Sequence, residues 1–218
     1  MALSMVWTLE PNVGGHTDRQ VQQVSWNAIP QARGRAVMEQ TDLSPEFVRV
    51  LSGALISNDG ARRFLLWRRW NCDGPRMLFI MLNPSTADGR TDDPTVRKCI
   101  GFARGAGCGG LMVVNLISQR SPKPAAVRAE PEPEEADRQI ACALQCARIV
   151  AAWGTLGGLS REARQIAIER IALVRGFARV AGRRLECLSV TNGGQPGHPL
   201  FIPYSATLKP WPPVELPA

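Results

Sequence analysis

The sequence predicts a three-layer α/β/α sandwich built on a central four-stranded parallel sheet, with a β-hairpin and an N-terminal extension before it. Four short runs, 77–82, 111–116, 148–153 and 185–190, are too apolar for a sheet with one wet face. Helical segments separate each run from the next. Buried strands alternating with helices form parallel sheets covered on both faces through right-handed crossovers. Polar or glycine-marked residues follow the runs, and in such sheets a ligand sits beyond the carboxyl ends of the strands.

Residues 1–48 have mixed polarity and no repeat, and stand as an extension of unassigned structure. Residues 49–218 are expected to form a single α/β domain, with a hairpin over 50–70 and a core over 75–205. Asn58-Asp59-Gly60 separates two strand-like runs, 50–57 and 61–70, and favours the positive backbone angles of a tight turn. Arg62, Arg63, Arg68 and Arg69 interleave there with Phe64, Trp67 and Trp70. That mixture suits nucleic acid, and it suits equally a hairpin with one solvated face.

The first apolar run leads into the loop Asn83-Pro84-Ser85-Thr86-Ala87-Asp88. A helix is then predicted from Asp93 as N-cap and Pro94 at the first helical position, stopping at Gly105 and Gly107. After the second run, Pro122, Pro124, Pro131 and Pro133 keep the chain extended. Glu130, Glu132, Glu134, Glu135 and Asp137 then crowd the start of a helix predicted to run to about Ala147, where they complement its dipole. The third run ends at Gly154. Ser160 opens a long helix to Ala181 with half a capping box, since Ala163 stands where the box has Glu. A glycine-rich loop, 191–199, follows the fourth run, and the tail 208–218 is rich in proline.

Hydrophobic residues make up 44% of the 218 and charged residues 21%, which excludes disordered, collagenous and coiled-coil chains. No apolar run approaches the roughly 18 residues of a membrane span, and the first ten residues lack a basic region followed by an apolar one. The expectation is a cytoplasmic protein with no membrane partner. Cys72, Cys99, Cys108, Cys142, Cys146 and Cys187 show no CxxC spacing and read as buried thiols, with an iron–sulfur site as the alternative. Only His16 and His198 exist, so a histidine-rich metal site is excluded. The net charge of +7 permits a polyanionic partner. Six basic residues, Arg97, Lys98, Arg104, Arg120, Lys123 and Arg128, fall between 95 and 129 with no acidic one among them.

Three side chains at strand ends invite chemistry: Asn83, Asn115 and His198. Each has an ordinary reading alone, a turn residue for the asparagines and a structural imidazole for the histidine. Together they supply uncharged hydrogen-bonding groups from three separate strand ends to one crevice.

The segments Leu82-Asn83-Pro84-Ser85, Val113-Val114-Asn115-Leu116, Val150-Ala151-Ala152-Trp153-Gly154 and Gly197-His198-Pro199-Leu200 resemble, in order and spacing, the landmarks of the uracil-DNA glycosylase superfamily over residues 75–205. The Asn-Pro pair resembles the mismatch-specific branch, and Met81-Leu82-Asn83-Pro84-Ser85-Thr86-Ala87-Asp88 is similar to a phrase shared by a bacterial family of unassigned function. The resemblance implies that Asn83 positions an attacking water, that Asn115 reads the polar edge of a flipped base, and that His198 donates a hydrogen bond to the departing base oxygen. Such a donor acts where charge develops when an anionic base leaves an oxocarbenium-like sugar.

Ser85 stands where the most uracil-specific branch keeps a tyrosine that excludes groups on carbon 5, so the expected base is a 5-substituted pyrimidine, such as the hypermodified cytosine or thymine of viral DNA. Leu200 replaces the usual serine after His-Pro; it or Phe201 is then a candidate wedge for the gap left by the flipped nucleotide. Phe102, Trp153 and Phe201 are candidates for stacking on the base. Arg97, Lys98, Arg120 and Lys123 are expected to contact DNA phosphates, and Asp88, Asp92 and Asp93 are rival catalytic carboxylates, of which Asp93 reads as a helix cap. The expected function is a monofunctional DNA glycosylase, a monomer acting in DNA repair or antiviral defence with no metal or cofactor. The alternatives are a binding module for modified or damaged DNA and an N-glycosidase of free nucleotides or nucleosides.

Overall fold

Asp59 shapes the first turn by accepting hydrogen bonds from Ser57 Oγ (2.5 Å) and the Ala61 N–H (3.0 Å), and Gly60 takes the positive φ of +72° that the turn requires. β1 (Leu51–Ile56) and β2 (Arg63–Arg69) therefore form the expected antiparallel hairpin. A computed structural model describes residues 51–128 and 130–212, all within the unit Ser44–Ala218. The extension expected over 1–48 lies outside the described residues.

The apolar runs become β3 (Arg76–Met81), β4 (Gly110–Asn115), β5 (Arg148–Ala151) and β6 (Leu185–Cys187). They pair in parallel in the order β4-β3-β5-β6. The sheet does not stop at four strands. β2 runs antiparallel to β4, matching Leu66 to Val113 and Arg69 to Gly110, and β7 (Lys209–Trp211) runs antiparallel to β6. The result is one seven-stranded sheet, β1-β2-β4-β3-β5-β6-β7. Both additions cover edges of the parallel core, whose unpaired N–H and C=O groups otherwise need partners. Pro210 fits in β7 because an edge strand has one side without ladder bonds. β5 and β6 are shorter than the apolar runs that specify them, and the chain after Cys187 leaves the sheet for an isolated bridge between Val190 and Pro196.

Asp93 caps α1 (Pro94–Gly105) by accepting from the Val96 N–H at 2.8 Å, and Ser160 caps α3 (Arg161–Val180) by accepting from the Ala163 N–H at 3.1 Å. α2 (Glu134–Ala143) carries three acidic residues in its first turn and ends one turn before the predicted Ala147. Because successive strand residues point to opposite faces, Met77, Phe79, Met81, Leu111, Val113 and Val150 pack with Val96, Cys99 and Phe102 of α1. Leu78, Ile80, Met112 and Val114 face the other way and are equally buried. α2 packs against β4, β2 and α3 on that side. The three layers are thus α1, the sheet, and α2 with α3. Among the described residues no helix is long and apolar enough to cross a membrane.

The tail strand is part of the core. Trp211 is 7% exposed, meets Trp153 edge-on with ring centroids 4.8 Å apart, and donates its indole N–H to the Gly194 carbonyl at 3.1 Å. Trp211→Ala is expected to lower unfolding free energy by about 3–5 kcal/mol in a urea titration, as for other buried aromatic deletions.

Candidate functional site

β3 and β5 are neighbours whose outgoing connections diverge, one through α1 to β4 and the other through α3 to β6. A crevice opens between carboxyl ends at such a reversal. Here it is a cleft of about 480 Å³, within the roughly 300–1,000 Å³ of small-molecule sites. The loop after β3 contributes Asn83, Ser85 and Thr86; the start of α1 contributes Asp93; β4 ends in Asn115; and Trp153 lies just beyond β5. His198, Leu200 and Phe201 come from the short turn after β6, and Arg63 enters from β2.

Asn83 and His198 line the same cleft, as the sequence led us to expect. The Asn83 amide nitrogen donates to the carbonyls of Pro84 (3.1 Å) and Ser121 (2.9 Å), which fixes the amide's orientation. Its carbonyl oxygen accepts no hydrogen bond among the described residues. His198 Nδ1 accepts from the Leu200 N–H at 3.4 Å, so a neutral ring carries its proton on Nε2. Burial pulls the imidazole below its ordinary pKa, and the Asp93 carboxylate opposes that pull. Gly154 backs this histidine: its φ is +75°, and a Cβ there would sit 3.1 Å from His198 Cβ. Trp153 is 1% exposed, edge-on to Trp211, and bonds Gln195 Oε1 through its indole N–H at 2.9 Å. It is a wall of the cleft, sealed on its outer side. Leu200 and Phe201 stand at the mouth, 36% and 82% exposed.

The floor holds a residue the sequence reading assigned only to the hairpin. Arg63, 3% exposed, donates to the Ala87 carbonyl (2.9 Å) and to Asn115 Oδ1 (3.2 Å). Its Nε and the Asn115 Nδ2 are buried and have no partner. Burial lowers the guanidinium to about 10, against the attraction of Asp93, so it remains charged at neutral pH. Leu55 pairs with Leu65 but Ile56 with Arg63, leaving Phe64 as the extra residue of a β-bulge. A bulge breaks period-two alternation and re-aims a side chain. Strand patterning therefore gave no sign that Arg63 meets Asn115.

Several expected site residues lie elsewhere. Asp88 does not line the cleft: its Oδ1 accepts from the N–H groups of Arg90 and Thr91, both at 2.8 Å, and these bonds lower its pKa. It folds its loop, and Asp93 is the carboxylate that reaches the cleft while capping α1. Phe102, two helical turns from the end of α1 that meets the cleft, packs into the core and against Tyr204 at 5.1 Å. Lys98 donates to the Ile202 carbonyl at 2.7 Å and lies over the Tyr204 ring, so it anchors the turn that carries His198. Arg120 ties the Gly60 and Thr86 carbonyls together.

Arg97 and Lys123 are the exposed members of the expected phosphate-binding set, Arg97 resting on the Asp92 carbonyl. The hairpin arginines are also engaged internally, Arg62 with Glu130 and Glu132 and Arg68 with Asp92. That favours the structural reading of the hairpin over the nucleic-acid one. Among the described residues no group of three or more His, Cys, Asp or Glu side chains could hold a metal. All six cysteines are free thiols, with Cys72 and Cys142 exposed rather than buried as expected.

The His198 environment sets a pH dependence. Its folded pKa lies below the unfolded value of about 6.5, so the unfolded chain takes the proton first. Stability from this residue is intact above about pH 6.5 and is lost as pH falls through the folded pKa. Melting temperatures measured between pH 7.5 and 5 should fall further for the parent protein than for His198→Gln.

The chain matches the model of a family described as "Protein of unknown function (DUF1643)" over residues 63–200. The matched segment begins at Arg63 and ends at Leu200, and so takes in the floor of the cleft and nearly all of its walls. No curated protein and no solved structure matches the chain. The match spans more than half its length, and the protein belongs to the DUF1643 family.

Proposed function

We propose that this protein is a monofunctional DNA glycosylase that hydrolyses the N-glycosidic bond of a flipped, 5-substituted pyrimidine and leaves an abasic site. The observation that carries the reading is the pairing, within one cleft, of an unengaged amide oxygen on Asn83 with a neutral imidazole whose N–H is on Nε2. The first can accept a hydrogen bond from a water and hold it against the sugar. The second can donate to the base oxygen as negative charge gathers there.

In this reading water attacks C1′, the bond to the base breaks with its electron pair leaving on the base, and the proton that the water sheds is returned through solvent to the departed base anion. Asp93 supplies negative charge facing a cationic sugar, and His198 Nε2–H with the amide N–H of Asn115 stabilises the departing anion. Ser85 leaves room beside carbon 5 of the ring, where a bulkier residue would collide with a substituent. Phe201 offers the exposed ring for stacking and Leu200 the apolar wedge, since Phe102 is outside the cleft and Trp153 is a buried wall of it, held by Trp211 and Gln195. Arg97 and Lys123 are the exposed cations nearest in sequence to the cleft walls, and they fit a role at the DNA backbone. We place this activity in the cytoplasm, in DNA repair or antiviral defence. The proposal needs no cofactor.

The test is incubation with duplexes that differ only in one base (uracil, mismatched thymine, or a bulky 5-modified pyrimidine), with released base identified by mass. Release from a 5-modified duplex supports the reading, and inactivity on all three ends it. Asn83→Ala is expected to slow release about a hundredfold or more while changing DNA affinity by less than about threefold. A binding module would show equal affinity and no turnover in either protein. Affinity should fall steeply with added salt for a polymer substrate, and little for a free nucleoside.

A further inference from the structure

We propose that Arg63 makes the cleft floor a dedicated hydrogen-bond donor, so that the edge it reads is one carrying lone pairs. Resting on the glycosylase reading above, this assigns the substrate class as a cytosine-type base, with acceptors at O2 and N3, over a uracil- or thymine-type base with an N–H at N3.

An asparagine amide ordinarily presents a donor and an acceptor side by side, which is what the N3–H and O4 of uracil require. Here the choice is removed. A guanidinium has donors only, so the amide must turn its oxygen toward Arg63, and Nη2 meets Oδ1 at 3.2 Å. Rotating the amide by half a turn would set N–H groups against N–H groups. The nitrogen is left as the side of the amide free to meet a ligand. Asn115 is 4% exposed and lines the cleft, and its Nδ2 has no partner.

Arg63 Nε, belonging to the group that holds the amide, is likewise buried and unpartnered. Buried donors left unpaired cost free energy, and the Asn115 donor, on a residue that lines the cleft, is one that a ligand can satisfy. His198 adds a third donor through Nε2–H. Two of the cleft's acceptors, Asn83 Oδ1 and the Asp93 carboxylate, come from the loop after β3 and the start of α1. Cytosine sets the lone pairs of O2 and N3 side by side and keeps its own donor, N4–H, at the far end of that edge, whereas uracil and thymine place N3–H between O2 and O4, so any two adjacent groups they offer bring one donor against a donor.

Two duplexes, identical except for one 5-hydroxymethylcytosine or one 5-hydroxymethyluracil placed opposite an abasic position, separate the possibilities. Binding is read by fluorescence anisotropy against an unmodified duplex, and base release by mass in parallel. The cytosine duplex is expected to bind about tenfold tighter than the uracil duplex, the effect of one mispaired buried donor. Equal affinity, tighter binding of the uracil duplex, or no preference over unmodified DNA would overturn the inference.

In Asn115→Asp, a nearly isosteric change, the carboxylate pairs with Arg63 and no amide donor remains. The preference should shrink to within about twofold, with folding checked by circular dichroism. Arg63→Met frees the amide to turn and should raise affinity for the uracil duplex; retention of the full cytosine preference in both folded variants would also overturn the proposal. Binding preference without release of either base retains this inference and removes the glycosylase reading. Release of both bases at equal rates and affinities does the reverse.

Discussion

A positive charge taken out of water needs hydrogen-bond acceptors around it, or its burial costs several kcal/mol. Arg63 is such a charge, and the elements around the cleft are arranged to satisfy it. Its bonds to the Ala87 carbonyl and to Asn115 Oδ1 join the start of β2, the loop after β3 and the end of β4. The Asp93 carboxylate, fixed by its capping bond to the Val96 N–H, lies near enough to hold the guanidinium in its charged form. One cation therefore joins three elements at the floor of the cleft, adding to the backbone bonds that already link the two strands and the loop. Its remaining orphan donor, with that of Asn115, gives the floor its chemical character.

A second set of contacts holds the opposite wall. Lys98 reaches from α1 to the Ile202 carbonyl and stacks on Tyr204, tying the helix to the short turn that presents His198. Trp153 and Trp211 meet edge-on behind that turn, and Gly154 lets the backbone approach the histidine closely. These residues act by keeping the imidazole still. In the reaction we propose, a donor aimed at developing charge is useful only when it does not have to reorganise. The basic residues that looked free for phosphate contacts are thus partly structural, and the remaining positive surface is narrower than the net charge suggests.

The division of labour within the sheet follows the same logic. The four parallel strands are buried on both faces and supply rigidity; the antiparallel strands at each side close their edges. The crevice falls where β3 and β5 part company, so the loops that line it are carried by deeply buried strands. Loops anchored in this way can hold polar side chains at a fixed spacing without a metal or a disulfide to brace them.

Much of this was legible before any coordinates. The four apolar runs, Asp93 with Pro94, Ser160 and the Asn58-Asp59-Gly60 turn act over a few residues, and periodicity and capping report such short-range preferences directly. Asn83, Asn115 and His198 were singled out because strand ends converge on one side of a parallel sheet, and Ser85, Trp153, Leu200 and Phe201 through the family resemblance; all seven line the cleft. What the sequence could not express was pairing between distant segments. Nothing local in Lys209–Trp211 announces a strand, since it becomes one only by completing the edge of β6. Asp88 looked as available as Asp93 until the backbone of its own loop claimed it. Arg63 reached Asn115 through a bulge that depends on the register of β1 against β2, a matter of which residues meet across the hairpin rather than of what stands beside them in the chain. Sequence determined the elements and the order of the polar strand ends, because those are near-neighbour effects; the identity of the buried donors was decided by tertiary structure, because burial and partnership exist only once separate segments have packed.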